Sequence, residues 1–367
     1  MTEVDQLTEV SPTLVIAIQR CGLAVHLSRR RRQVSDLASG PPARLGRAVH
    51  RVLAWVPENR GVQHAHPDFE AAVRERWADE IAVEEKTALS NTRERYFGAA
   101  TQWPGYATVS ERLVIEAGRL AVELESKPPQ ELWIERQLRG TETLMKGSPD
   151  LVFISEAVAD VVEYKSGEVS EEDALPSGRY GLQVALYAAL VEENGVEVRS
   201  GELRPIGRRT IGVEVGAAAI EHAREVATTT LAAFNTAVSA GDTIHLAKPS
   251  DGACSSCAHV LECAVLWSKA GIEKLEQLQL VEGEVTRVQR TQTGSIALQV
   301  NVSAGTRTGV VTLTGLDPRR LSALDGLKQG DYVRVTGLHP GNTDSTLIVR
   351  SGSWVQLRTS PSELKCD

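Results

Sequence analysis

The stretch from Leu144 to Gly167 constrains the chain most. It holds two β-branched or aromatic runs, Val152-Phe153-Ile154 and Val158 with Val161-Val162, on either side of the polar step Ser155-Glu156. This pattern reads as a β-hairpin. With the turn centred between Glu156 and Ala157, Asp150 falls directly opposite Glu163. Side chains alternate along a strand, so Glu163 and Lys165 project from one face, beside Asp150. Two adjacent carboxylates repel unless a hard cation separates them, and oxygen donors of this kind suit Mg²⁺ or Mn²⁺. A lysine beside such an ion can position or activate a water. The plainer alternative is a two-sided strand whose Glu163 and Lys165 face solvent, with Asp150 opening a turn after Pro149.

A helix is expected over 177–193, with Tyr180, Val184 and Leu190 at helical spacing and Gln183 one turn before Tyr187. Gly147-Ser148-Pro149-Asp150, then Glu163-Tyr164-Lys165, then Gln183-x3-Tyr187 resembles the PD-(D/E)XK nuclease signature, specifically its RecB-like branch. The resemblance implies a restriction-endonuclease-like α/β fold, a mixed sheet flanked by helices. It also implies metal-dependent cleavage of DNA, with Asp150, Glu163 and the Tyr164 carbonyl as metal ligands and Lys165, Gln183 and Tyr187 in catalytic or bracing roles.

Composition sets outer limits. The chain has 367 residues, 42% of them hydrophobic, which is enough for two domains or one large domain with an appendage. A net charge of −8 argues against a generally basic nucleic-acid coat, so any DNA must be met by a local positive track and metal ions. There is no run of about 18 apolar residues, and the start MTEVDQLTEV is acidic where a signal peptide would be basic. A cytoplasmic protein without membrane contact is expected. No G-x4-GK-[ST] run occurs, so no ATPase motor of that type is expected.

In chain order, Ser11-Pro12-Thr13 is a plausible cap for a helix running to Arg32 and carrying Cys21. Arg29 to Arg32 read as a solvated face or as phosphate contacts. After Ser39-Gly40-Pro41-Pro42, a second helix aligns Leu45, Val49, Val52 and Leu53, with His50 one turn beyond Gly46. A single helical histidine is usually structural. The Gly46-x3-His50-x2-Leu53 pattern is similar to the histidine helix of RecB-like nucleases, which implies His50 as a further metal ligand. Residues 64–128 read as a helical insertion whose Trp77, Tyr96, Trp103 and Tyr106 belong to core or interface. ELWIERQLRG reads as a strand leading into the hairpin. Later, VEVRSGELRPI and RRTIGVEV read as strands and 213–240 as mainly helical.

The five cysteines are Cys21, Cys254, Cys257, Cys263 and Cys366, an odd number that reads as metal or cluster ligation more than as a disulfide framework. Cys254-x2-Cys257-x5-Cys263 groups three sulfurs whose thiolates would repel one another without a soft metal or a cluster, with Cys21 as the natural fourth ligand. The pattern resembles the iron-sulfur staple of AddB-type and CRISPR-associated RecB-like nucleases, which implies a 4Fe-4S cluster clamping the nuclease segment. Zinc is the rival, with His259 replacing Cys21. Cys366 falls outside the pattern and is expected to be a free thiol.

From Leu278 onward five strand-like segments are separated by Gly, Thr, Asp or Asn, with a short helical piece, PRRLSALDGL, after the third. This suggests an OB-like barrel over 276–360, following a nuclease domain over 1–270. The barrel is read either as a nucleic-acid holder or as an interaction module. The resemblance therefore implies a nuclease acting on single strands or duplex ends. Two alternatives stand beside it: a non-cleaving DNA-binding subunit, and a scaffold recruiting a helicase or defence-system partner.

Overall fold

The computed structural model describes residues 6–30, 40–58, 68–90, 94, 97–292, 294–318, 324, 326–343 and 345–358. Arg31, Arg32, Ser39, His64, Tyr96, Cys366 and most of the helical piece expected after the third barrel strand lie outside the described residues. The chain divides into two compact units, residues 1–19 with 35–239, and residues 20–34 with 240–367. Helix α1 (Pro12–Arg30) is broken at the second residue past this division, where Cys21 has an extended backbone. The Ser11 hydroxyl caps its start by accepting the Leu14 N–H at 3.1 Å.

In the first unit, α2 (Gly40–Glu58), α3 (Phe69–Ser90) and α4 (Tyr106–Ser126) precede the main strands. Residues 69–126 are integral to the fold. Val73, Trp77, Leu113 and Leu120 share one core with Leu45, Val49 and Val52 of α2 and with Leu151, Phe153, Val162 and Tyr164 of the strands. Buried ion pairs lock α2 onto α3. Glu84 accepts from Arg44 at 3.0 Å, Arg47 at 2.9 Å and Arg51 at 2.9 Å. Burial would raise the Glu84 pKa, but these guanidiniums outweigh it and hold it below the usual value.

The strands are β1 (Glu131–Ile134), β2 (Leu138–Arg139), β3 (Lys146–Gly147), β4 (Leu151–Ser155) and β5 (Val158–Lys165). The sequence ELWIERQLRG is thus two strands, interrupted at Glu135, whose φ is +42°. After α5 (Glu171–Ala174) and α6 (Arg179–Glu193) come β6 (Glu197–Pro205), β7 (Ile211–Val213) and α7 (Ala217–Ala240). Val213 closes a strand, and the last helix of this unit begins only after Gly216. The main sheet has the order β1-β4-β5-β6-β7, with β5 and β6 parallel and the other pairs antiparallel. Helix α6 makes the crossover that a parallel pair requires. It is buried nearly all round, from Gly181 to Val191, where a one-sided stripe was expected. The register pairs Leu151 with Val162 and Ser155 with Val158, which puts the turn at Glu156-Ala157 as the residue pattern predicts.

The second unit carries α8 (Asp251–Cys254) and α9 (Lys269–Ile272), then β8 (Gln279–Arg290), β9 (Ile296–Gly305), β10 (Gly309–Leu316), β11 (Tyr332–Pro340) and β12 (Thr346–Arg358). These five strands close into a barrel of order β10-β12-β11-β8-β9. The third strand pairs in parallel with the fifth, and the first pairs with the fourth, an OB-like arrangement. Its interior is aliphatic, including Val285, Leu298, Leu313, Val333 and Leu347. Among the described residues, no helix is long and apolar enough to cross a membrane.

Candidate active site

Period-two alternation in the hairpin sends Leu151, Phe153, Val162 and Tyr164 into the helical core and leaves the opposite face to Asp150, Glu163 and Lys165. Asp150 precedes β4 and is fixed at both oxygens. Oδ2 accepts the Tyr164 N–H at 2.7 Å, and Oδ1 lies 2.8 Å from Nδ1 of His50, brought over by α2. Burial disfavours the imidazolium. The Asp150 charge and hydrogen bond outweigh it, so the His50 pKa is raised above 6.5.

Glu163 is 4% exposed. Its Oε1 accepts from Lys165 Nζ at 2.6 Å and from Gln183 Nε2 at 2.8 Å, while Gln183 Oε1 accepts from Lys165 at 3.0 Å. Its Oε2 is buried with no hydrogen-bond partner among the described residues. Burial, and then the neighbouring Asp150 charge, push the Glu163 pKa up to about 7 against the pull of Lys165. A buried carboxylate oxygen without a donor is unfavourable in the bare protein and suits a cation. By this test the residues present fit a divalent ion.

Tyr187 stands one turn behind Gln183, is buried, and has its hydroxyl in reach of Gln183 and Thr13. It braces the glutamine. Tyr180 places its ring 4.7 Å from Lys165 Nζ and 4.2 Å from the Arg179 guanidinium. The Tyr164 side chain faces away from the site and is fully buried, which raises its hydroxyl pKa.

Two glycines of the sequence patterns have physical reasons. A Cβ on Gly147 would come within 2.8 Å of Pro12 Cδ and 3.1 Å of Tyr187 Cε1, so β3 can lie against α6 only without a side chain there. A Cβ on Gly46 would meet Ser166 Oγ at 3.0 Å, so this glycine lets α2 approach the end of β5. His50 is carried to Asp150 by that approach.

Sequence reasoning missed Glu135. Among the described residues, the triad whose ligand atoms all lie within 4.8 Å of one another is His50, Glu135 and Asp150, and Glu163 stands outside it. The Glu135 N–H donates to the Asp150 carbonyl at 3.1 Å. Partial burial, then the Asp150 charge, raise its pKa. One acidic residue in a strand-like run gives no sequence signal, because its position depends on the break between β1 and β2.

The second unit holds the thiols. Cys254, Val260, Leu266, Trp267, Leu278 and Leu280 form a small core, against which Cys21, Cys257 and Cys263 pack. Burial pushes the Cys257 thiol up to about 11 and raises Cys254 as well. His259 is buried with Nε2 2.8 Å from Ser28 Oγ, which occupies one ring nitrogen.

A family profile described as the PD-(D/E)XK nuclease superfamily matches residues 9–264, a span that includes His50, Asp150, Glu163, Lys165 and four of the cysteines. No curated protein matches the chain.

Proposed function

The chain belongs to the PD-(D/E)XK nuclease superfamily, and from that premise we propose that it is a RecB-like, metal-dependent DNA nuclease acting on single strands or duplex ends. The observation that carries this reading is the buried Oε2 of Glu163, without a partner among the described residues, on the face that also holds Asp150 and Lys165. His50, Asp150 and Glu163, with the Tyr164 carbonyl, would hold Mg²⁺ or Mn²⁺. Such an ion lowers the pKa of a bound water and neutralises charge on the scissile phosphate. Lys165 donates two N–H groups to Glu163 and Gln183 and keeps a third, which orients the attacking water or a phosphate oxygen. Gln183 fixes the lysine and the glutamate together, and Tyr187 fixes Gln183.

We further propose a 4Fe-4S cluster on Cys21, Cys254, Cys257 and Cys263. Four soft sulfur donors gathered against one small core of the second unit support this reading, with zinc as the alternative. Its role is mechanical, pinning the broken α1 to the segment after Ala240. The OB-like barrel is proposed to hold nucleic acid, with an interaction surface as the alternative.

The test is cleavage of end-labelled single-stranded and duplex DNA with Mg²⁺ or Mn²⁺, comparing wild type with Lys165→Ala. Metal-dependent cutting lost in the variant establishes activity and site together. Absence of cutting by the wild type, with the cluster intact, sinks the autonomous enzyme and favours a partner-activated or DNA-binding subunit.

A further inference from the structure

The lysine of the site shares an aromatic ring with a second cation. Tyr180 stands one turn ahead of Gln183 on α6, and its ring lies 4.7 Å from Lys165 Nζ and 4.2 Å from the Arg179 guanidinium, so the two cations are within about 9 Å of one another. Arg179 is held at a second point, where its Nε donates to Asp173 Oδ1 at 3.1 Å. Asp173 is itself fixed, its Oδ2 accepting from the Ser170 N–H at 3.1 Å and from the Ser170 hydroxyl at 3.0 Å. Ring and carboxylate together orient the guanidinium and leave its terminal nitrogens for another acceptor. The Arg179 side chain is 51% exposed and that of Lys165 15%, so the pair runs from the interior of the site to its rim.

Helix stability does not account for this arginine. It is the first residue of α6, where a positive charge opposes the helix dipole. Two like charges on one ring also repel each other, and an anion beside them offsets that repulsion. We propose that Arg179 binds a backbone phosphate of the DNA strand next to the phosphate at Lys165, and that Tyr180 is the positioning residue that holds this arginine at the rim. Charges recur every ~3.4 Å of duplex axis along one strand, so a separation of up to about 9 Å suits neighbouring phosphates. With a net charge of −8 the chain offers DNA no general attraction, and a contact of this local kind is what it requires. The inference rests on the nuclease reading above and adds to it how the strand is held.

The experiment measures binding of a fluorescein-labelled oligothymidylate to the full-length protein in Ca²⁺ over a range of NaCl concentrations, with the oligomer checked for cleavage. Each phosphate contact on a single strand contributes about 0.7 to the slope of log affinity against log salt. Arg179→Gln should lower the slope by about that amount, Tyr180→Leu by part of it, and Tyr180→Phe should keep the wild-type slope. Arg199→Gln is the control. Its guanidinium is also exposed and paired, with Asp160, five residues before Lys165 in β5, and the variant should keep the slope. All four substitutions alter side chains outside the buried core, and unchanged melting temperatures verify the fold. An unchanged slope in Arg179→Gln, or an equal fall in Arg199→Gln, overturns the inference, as does failure of the wild type to bind the oligomer. A fall in Tyr180→Phe equal to that in Tyr180→Leu overturns the role of the ring. The expected slopes without DNA cleavage in Mg²⁺ or Mn²⁺ would refute the nuclease reading and leave this site standing. Cleavage with unchanged slopes would do the reverse.

Discussion

Lys165 is the residue on which activity should depend most steeply. Its ammonium is bound to Glu163 and Gln183 on the strand face opposite Val162 and Tyr164, so Lys165→Ala should fold and still bind DNA. Cleavage should fall by on the order of a thousandfold, and equal cutting by the variant would refute the assignment. Glu163 gives a second test. Its folded pKa of about 7 exceeds the ordinary 4.5, so the metal-free folded state binds a proton more firmly than the unfolded state. Stability contributed by that proton is full below about 4.5 and is lost as pH rises through 7. In EDTA the melting temperature should therefore fall from pH 5 to 7.5 in wild type and fall less in Glu163→Gln. Mn²⁺ competes with the same protons, so its stabilising shift should grow over that range. A shift that does not vary with pH would refute the account. Asp150, Glu163 and Lys165 were legible because a two-residue turn and strand alternation fix them locally. His50 is 100 residues away in sequence from Asp150 and became legible only through the glycine pattern that carries it. Glu135 was not legible, since nothing local announces a chain break at φ +42°.

Among the elements, the hairpin has the right register but unfavourable turn residues. Both Glu156 and Ala157 adopt positive φ, 54° and 65°, as a primed turn requires, without the Asn or Gly that accepts it readily. Ala157→Gly should stabilise the first unit by roughly 0.5–1 kcal/mol, the relief of strain exceeding the added freedom of the unfolded chain. Chemical denaturation measures it, and destabilisation would contradict the turn geometry. Gly147→Ala should act oppositely. The added methyl meets Pro12 and Tyr187, costing about 1–3 kcal/mol, and displaces the strand three residues before Asp150. Cleavage should drop more than stability accounts for. Local pattern identified the strands and long helices, because burial on one face imprints a period. It misjudged α6, which is covered nearly all round, and reading residues 64–128 as a helical insertion gave no sign that α3 and α4 share the core of the main sheet.

On the scale of the whole molecule, the cysteine segment and the barrel belong to one compact unit, a grouping hidden in sequence because α1 reads as a continuous helix through Cys21. The connections are specific. The Asp251 carboxylate accepts the N–H groups of Glu276, Gln277 and Leu278 at 2.9, 3.1 and 2.6 Å, just before β8. Arg334 of β11 donates to the Leu261 carbonyl at 2.8 Å, stacks 4.4 Å from the Trp267 ring and pairs with buried Glu282. Leu278 and Leu280 complete the core against which the cysteines pack. Removing residues after Lys274 should therefore bleach a cluster-bound protein as well as delete the barrel, so a loss of DNA affinity on truncation would not by itself identify the barrel as the binding module. Arg334→Ala isolates the coupling. It strands the Glu282 charge in the interior, a loss of about 3–5 kcal/mol, and frees the Leu261 carbonyl between Cys257 and Cys263. With the proposed cluster loaded, the variant should bleach faster than wild type under chelator while hairpin-based metal binding in the first unit is unchanged. Equal bleaching rates would mean that the cysteine segment is held by its own ligands alone, and the barrel would then be free to be assigned from its surface.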